Sequence, residues 1–120
     1  MDPLIWTTKC PLANEISLYA EDWNHAIEHP EIIGKEELVK KIVEKPLYIQ
    51  EGKTPFTAAY VFPPYNELEE GARVIVKFST EVWPSGNDTG LVQTAYPIDS
   101  KSYPNPRLGK IVWTKKGGLQ

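Results

Sequence analysis

Gly34-Lys35-Glu36-Glu37-Leu38-Val39-Lys40-Lys41-Ile42-Val43-Glu44-Lys45-Pro46-Leu47-Tyr48-Ile49-Gln50 is the stretch in which one periodicity gives way to another. From 35 to 44, Leu38, Val39, Ile42 and Val43 fall on one stripe, with Glu36, Glu37, Lys40, Lys41 and Glu44 outside it. This spacing predicts an amphipathic helix, bracketed by Gly34 and Pro46. After Pro46 the pattern changes to alternation, which predicts strands over 47–50, 56–62, 72–82, 91–96 and 110–115. Residues 85–90 read as a hairpin loop and 97–109 as a longer, mobile connection.

Upstream, residues 4–8 and 16–19 are short apolar stretches that read as strands, separated by Cys10-Pro11. Trp23, Ala26 and Ile27 carry helical spacing, so a first helix is expected over 21–29, with Pro30 disfavouring helical geometry at its last residue. Helices followed by strands predict an α+β domain, with two N-terminal helices packed on one face of a four- to five-stranded antiparallel sheet. Period two assigns its faces. Val74, Val76 and Phe78 point toward the helices, while Arg73, Ile75, Lys77 and Ser79 point away. Val92, Thr94 and Tyr96 share a side, opposite Gln93 and Ala95, and which of the two is buried stays open.

A chain of 120 residues is expected to form a single domain spanning 1–120. Eleven prolines exclude a helical bundle, because proline removes a backbone donor and breaks helix interiors. Cys10 is alone and the N-terminus lacks a basic start followed by an apolar run. A reducing, cytoplasmic location is expected. No apolar run approaches the roughly 18 residues of a membrane span, so no membrane partner is expected. A formal net charge of −3 disfavours strong nonspecific nucleic-acid binding and confines any such role to a local basic patch.

The order of the pieces resembles the phage members of the Barnase-EndoU-colicin-RelE-like group of ribonucleases. It is carried by His25, by His29-Pro30-Glu31, by Val39, Ile42 and Pro46, by Val74-Ile75-Val76-Lys77, and by Val92-Gln93-Thr94-Ala95-Tyr96, between Ile16 and Trp113. The resemblance implies an RNase-like α+β fold and, in active members, RNA cleavage without metal or other cofactor. It also suggests a toxin or phage-derived effector acting on tRNA or mRNA, and an inhibitory protein partner. That reaction needs a base for the ribose 2′-hydroxyl, an acid for the leaving oxygen and donors around the phosphorane. By position His25 is the acid or base, Lys77 neutralises phosphate, and the Thr94 hydroxyl orients it. Tyr60 or Tyr96 stacks a base or serves as second proton carrier, with Arg73 and His29 as further substrate contacts. The alternative is a non-catalytic domain that keeps the fold and binds RNA or a protein.

Each of these residues also has a plainer role. His29, just before a proline, reads first as a cap on the last helical carbonyls. His25 fits a partly buried ring beside Trp23 and Ile27, and Thr94 and Lys77 fit ordinary strand positions. His25-Ala26-Ile27-Glu28-His29 also spells the inverted zinc-protease motif. A zinc site needs a third ligand, for which Glu36 and Glu37 are the only nearby sources, and Pro30 interrupts the helix where that ligand needs rigidity. No bound metal is therefore expected.

Overall fold

A computed structural model of the chain describes residues 3–12, 14–26, 34–54, 56–62, 72–78, 89–97 and 108–119, with only the backbone at 25, 26, 97 and 119. Its elements run β1 (Leu4–Lys9), β2 (Glu15–Tyr19), α1 (Ala20–Ala26), α2 (Glu36–Glu44), β3 (Tyr48–Glu51), β4 (Thr57–Phe62), β5 (Ala72–Phe78), β6 (Thr89–Pro97), β7 (Ile111–Thr114) and β8 (Gly118–Leu119). The hairpin loop and long connection expected within 85–90 and 97–109 fall largely outside the described residues, at 85–88 and 98–107.

All eight strands join one sheet in the order β1-β2-β6-β5-β4-β3-β7-β8. This corrects the expected four- to five-stranded antiparallel sheet with two N-terminal helices. Here β1 and β2 precede both helices and extend the sheet at one edge, and β2 lies parallel to β6 through Glu15↔Thr89, Ile16↔Gly90 and Ser17↔Leu91. The sheet is therefore mixed, and the helices are short, at seven and nine residues. Alternation tells which side chains point inward and is silent about which strand lies alongside. Ile16 and Leu18 show an inward face, yet nothing in them names β6 as neighbour.

Both helices supply the core on one face of this sheet. In α2, Val39, Ile42 and Val43 are buried. They share a cluster with Trp23 of α1, Trp6 of β1, Ile16 and Leu18 of β2, and Tyr60, Val74, Val76, Val92 and Ala95 of the central strands. α2 touches β1 at the sheet's edge as well as β4 and β5 further in, while α1 packs on β6 and β2 between them. The strip from β1 to β4 thus curls around α2. Two bulges, at Leu4/Trp6 in β1 and opposite Ile75/Val76 in β6, sharpen the twist that allows it. The Trp6 indole N–H donates to the Glu36 carbonyl over 3.1 Å, and the Thr8 hydroxyl donates to the Glu44 carboxylate, pinning the edge strand to both ends of α2. Among the described residues no helix is long and apolar enough to cross a membrane.

The bulge in β6 also corrects the expected faces of that strand. Ile75 pairs with Thr94 but Val76 pairs with Val92, so Gln93 has no partner across the strand pair. The phase of alternation slips there. Val92 and Ala95 both face the helices, while Thr94 and Tyr96 turn to the other side.

Gly90 marks where β6 is squeezed. A β-carbon there would lie 2.6 Å from Val76 Cγ1, 2.8 Å from Ile16 Cδ1 and 3.1 Å from Phe78 Cε1. Gly90→Ala is expected to lower the unfolding free energy by about 1–3 kcal/mol through overpacking. Urea denaturation checks this, and an unchanged midpoint would mean that β2 and β5 do not close on β6 as described.

Candidate nucleic-acid interface

Strand register sets out the face away from the helices as rows of side chains. One row runs Tyr48, Val61, Arg73, Tyr96, and the next runs Gln50, Ala59, Ile75, Thr94. A third runs Thr57, Lys77, Leu91. Tyr48, Ala59 and Val61, with Leu47, Ile75, Leu108 and Ile111 against them, form a second and smaller apolar cluster on this face. Four of the residues singled out in the sequence, Arg73, Lys77, Thr94 and Tyr96, therefore share one surface.

Arg73 and Tyr96 are a pair. Arg73 is only 3% exposed, its Nη1 donates to the Tyr96 hydroxyl over 3.3 Å, and its guanidinium carbon lies 5.6 Å from the ring centroid. A planar cation against a ring face is attracted to the ring's quadrupole, and more strongly where water is excluded. The half-buried Tyr96 ring is thus held at a fixed tilt, with part of it left open to solvent.

Beside Tyr96 lies an open groove of about 650 Å³, with Lys53, Thr54, Thr57, Ile75 and Leu108 as its other main walls. The turn between β3 and β4 builds one wall. Gly52 N–H donates to the Thr57 carbonyl over 2.8 Å, and the Thr57 hydroxyl donates to the Thr54 carbonyl over 2.6 Å. A β-carbon on Gly52 would lie 2.0 Å from Thr57 Oγ1, so the turn requires glycine there. Phe56 sits at φ 66°, a strained angle for a bulky residue, and its carbonyl accepts from Phe78 N–H over 2.7 Å. Lys77, directly across from Thr57, is exposed, as is its other neighbour Leu91 at 46%. Among the described residues neither Lys53 nor Lys77 makes an ion pair, and the groove is walled by no carboxylate.

The remaining candidates lie elsewhere. Tyr60 is fully buried on the helix-covered side, in a row with Ile49, Val74 and Ala95, so it cannot stack a ligand on the open face. Burial pushes its phenol well above the usual tyrosine value, and the neighbouring Cys10 thiol adds to the shift. The Tyr60 hydroxyl makes no well-aligned hydrogen bond, its polar neighbour being the weakly bonding Cys10 thiol, which also approaches Asn14 Oδ1 at 3.9 Å. His25 belongs to α1, which packs in the layer opposite Lys77 and Thr94; its side chain, and all of His29, lie outside the described residues. Among the described residues no three His, Cys, Asp or Glu side chains gather as a metal site would require.

Lys53, Thr54, Thr57 and Leu108 were not legible as site residues. The signal available was the Gly52-Lys53-Thr54-Pro55 turn chemistry between two alternating runs, which predicts a tight turn but not what it faces. A scan against protein-family models, a search of curated proteins and a search of solved structures each found no match to this chain.

Proposed function

We propose that the domain binds single-stranded RNA on the open face of its sheet, without cleaving it. One observation carries this reading: Lys77, Thr94 and the Arg73–Tyr96 pair share the face that bears the groove, while the helix carrying His25 packs against the opposite face. An aromatic ring on the same face as the exposed Lys53 and Lys77 is the arrangement on which unstacked bases and their phosphates dock. The order of motifs that resembles the phage ribonucleases supports RNA as the strand. The backbone of α1, which carries His25, lies in the layer across the sheet from Lys77 and Thr94, which favours binding over cleavage by those three residues. The buried, unpaired Cys10 thiol fits a reducing cytoplasm.

With few cations on the face and a net charge of −3, affinity should be modest, roughly 10⁻⁶–10⁻⁴ M at physiological salt. Fluorescence anisotropy of a labelled single-stranded RNA oligomer, against its duplex, tests it. The single strand should bind more tightly. Lys77→Ala should reduce the slope of log affinity against log salt by about 0.7, the value for one lost phosphate contact. Equal binding of duplex and single strand, or no salt-dependent binding at all, would overturn the reading. So would cleavage of the oligomer that disappears in His25→Ala.

A further inference from the structure

The groove differs from the rest of the open face in having two chemically distinct ends. At one end is Tyr96, fixed by Arg73 and flanked by Ile75 and Leu108, an aromatic plane over an apolar floor. At the other are Lys53 and Thr54, on a turn tied down by the Gly52–Thr57 and Thr57–Thr54 hydrogen bonds. The Thr57 hydroxyl donates to the Thr54 carbonyl, which leaves the Thr54 hydroxyl as donor in the long 3.3 Å bond to Thr57 Oγ1, a bond it can exchange for one to a ligand. The exposed Lys53 ammonium adds charge at the same end, and among the described residues no carboxylate lines the groove. A volume of about 650 Å³ falls within the range of small-ligand sites.

We infer that this groove is a slot for a single nucleotide, with the base on Tyr96 and the phosphate at Lys53 and Thr54. The inference rests on the RNA-binding reading and deepens it, naming the unit recognised and the residues that hold each half. Charge complementarity selects a phosphorylated ligand, and the fixed ring selects an aromatic one. The Gly52–Thr57 and Thr57–Thr54 hydrogen bonds and the close approach of Gly52 to Thr57 shape the phosphate end.

Adenosine 5′-monophosphate, adenosine and inorganic phosphate serve as probes, in titrations with the full chain. The monophosphate should bind at least about tenfold more tightly than either half alone, since the slot gains from both ends only when they are joined. Tyr96→Leu, which keeps apolar bulk and removes the ring, should weaken it about five- to a hundredfold, the range for one lost base stack. Tyr96→Phe should retain most of the affinity. Lys53→Ala should weaken the monophosphate several-fold at low salt and less at high salt, with no effect on adenosine. Thermal melts of each variant separate lost binding from lost folding. Oligomers with and without a 5′-phosphate distinguish a strand end, which would bind tighter when phosphorylated, from a strand interior, which would not; either outcome keeps the slot. If oligomer binding survives Tyr96→Leu and Lys53→Ala while still responding to Lys77→Ala, the slot is wrong and the RNA reading stands. If the monophosphate binds and no oligomer does, the slot stands and the RNA reading falls. If the monophosphate binds no better than adenosine or phosphate, the slot is overturned.

Discussion

Replacing Tyr60 with alanine is expected to lower the unfolding free energy by about 3–5 kcal/mol, because the emptied space lies among groups that relax only in part. Tyr60 is fully buried at the centre of the helix-covered face, in a row with Ile49 and Val74. Typical domains have a total stability of about 5–15 kcal/mol, so this one substitution should remove a large share of it. Tyr60→Phe should lie within about 1 kcal/mol of the parent at neutral pH, since the hydroxyl it removes has only the weakly bonding Cys10 thiol beside it. The two should also part company in alkali. The native phenol is held well above its ordinary value of 10.0, chiefly by burial, so the folded state keeps a proton that the unfolded state releases. The resulting contribution to stability is fully present below the ordinary value and is lost as pH rises toward the native one. Alkaline unfolding of the parent should therefore draw on Tyr60 ionisation, and Tyr60→Phe should move the midpoint to higher pH. Phenolate absorbance followed alongside circular dichroism checks this; ionisation of Tyr60 before any loss of structure would contradict its burial.

Trp6→Ala is expected to be of similar severity, about 3–5 kcal/mol, although the residue sits on the outermost strand of the sheet. Trp6 lies across from Leu18, enters the main core cluster and donates its indole N–H to the Glu36 carbonyl. Trp6→Phe should cost about 1 kcal/mol, mainly through the lost hydrogen bond. Chemical denaturation of both variants tests whether β1 is integral to the fold. A Trp6→Ala midpoint equal to the parent's would mean that β1 and β2 are appended to a smaller sheet.

How much of this was legible from residue order depends on how local the cause is. The α2 stripe of Val39, Ile42 and Val43 and the bracketing Pro46 are local, and the helix lies where that spacing predicts it. Val74, Val76 and Phe78 alternate cleanly, so the outward turn of Arg73 and Lys77 could be read directly. The pairing of β2 with β6 joins segments about 75 residues apart, and nothing in either sequence encodes that neighbour. The Gln93 bulge did leave a trace, since the buried Val92 and Ala95 are three residues apart rather than two or four. Strict period two overrode that trace and put Val92 with Thr94 and Tyr96. The groove was invisible because it depends on the β3–β4 turn meeting Tyr96 and Leu108 from distant parts of the chain.

Amide chemical-shift mapping during titration of the full chain with single-stranded RNA tests the central claim most directly, because it reports which face of the sheet meets the strand. Shifts are expected at Lys53, Thr54 and Thr57, along Arg73 to Lys77, and along Leu91 to Tyr96, with Val39, Ile42 and Val43 of α2 unmoved. Shifts concentrated in α1 and α2, with the open-face rows unchanged, would contradict it.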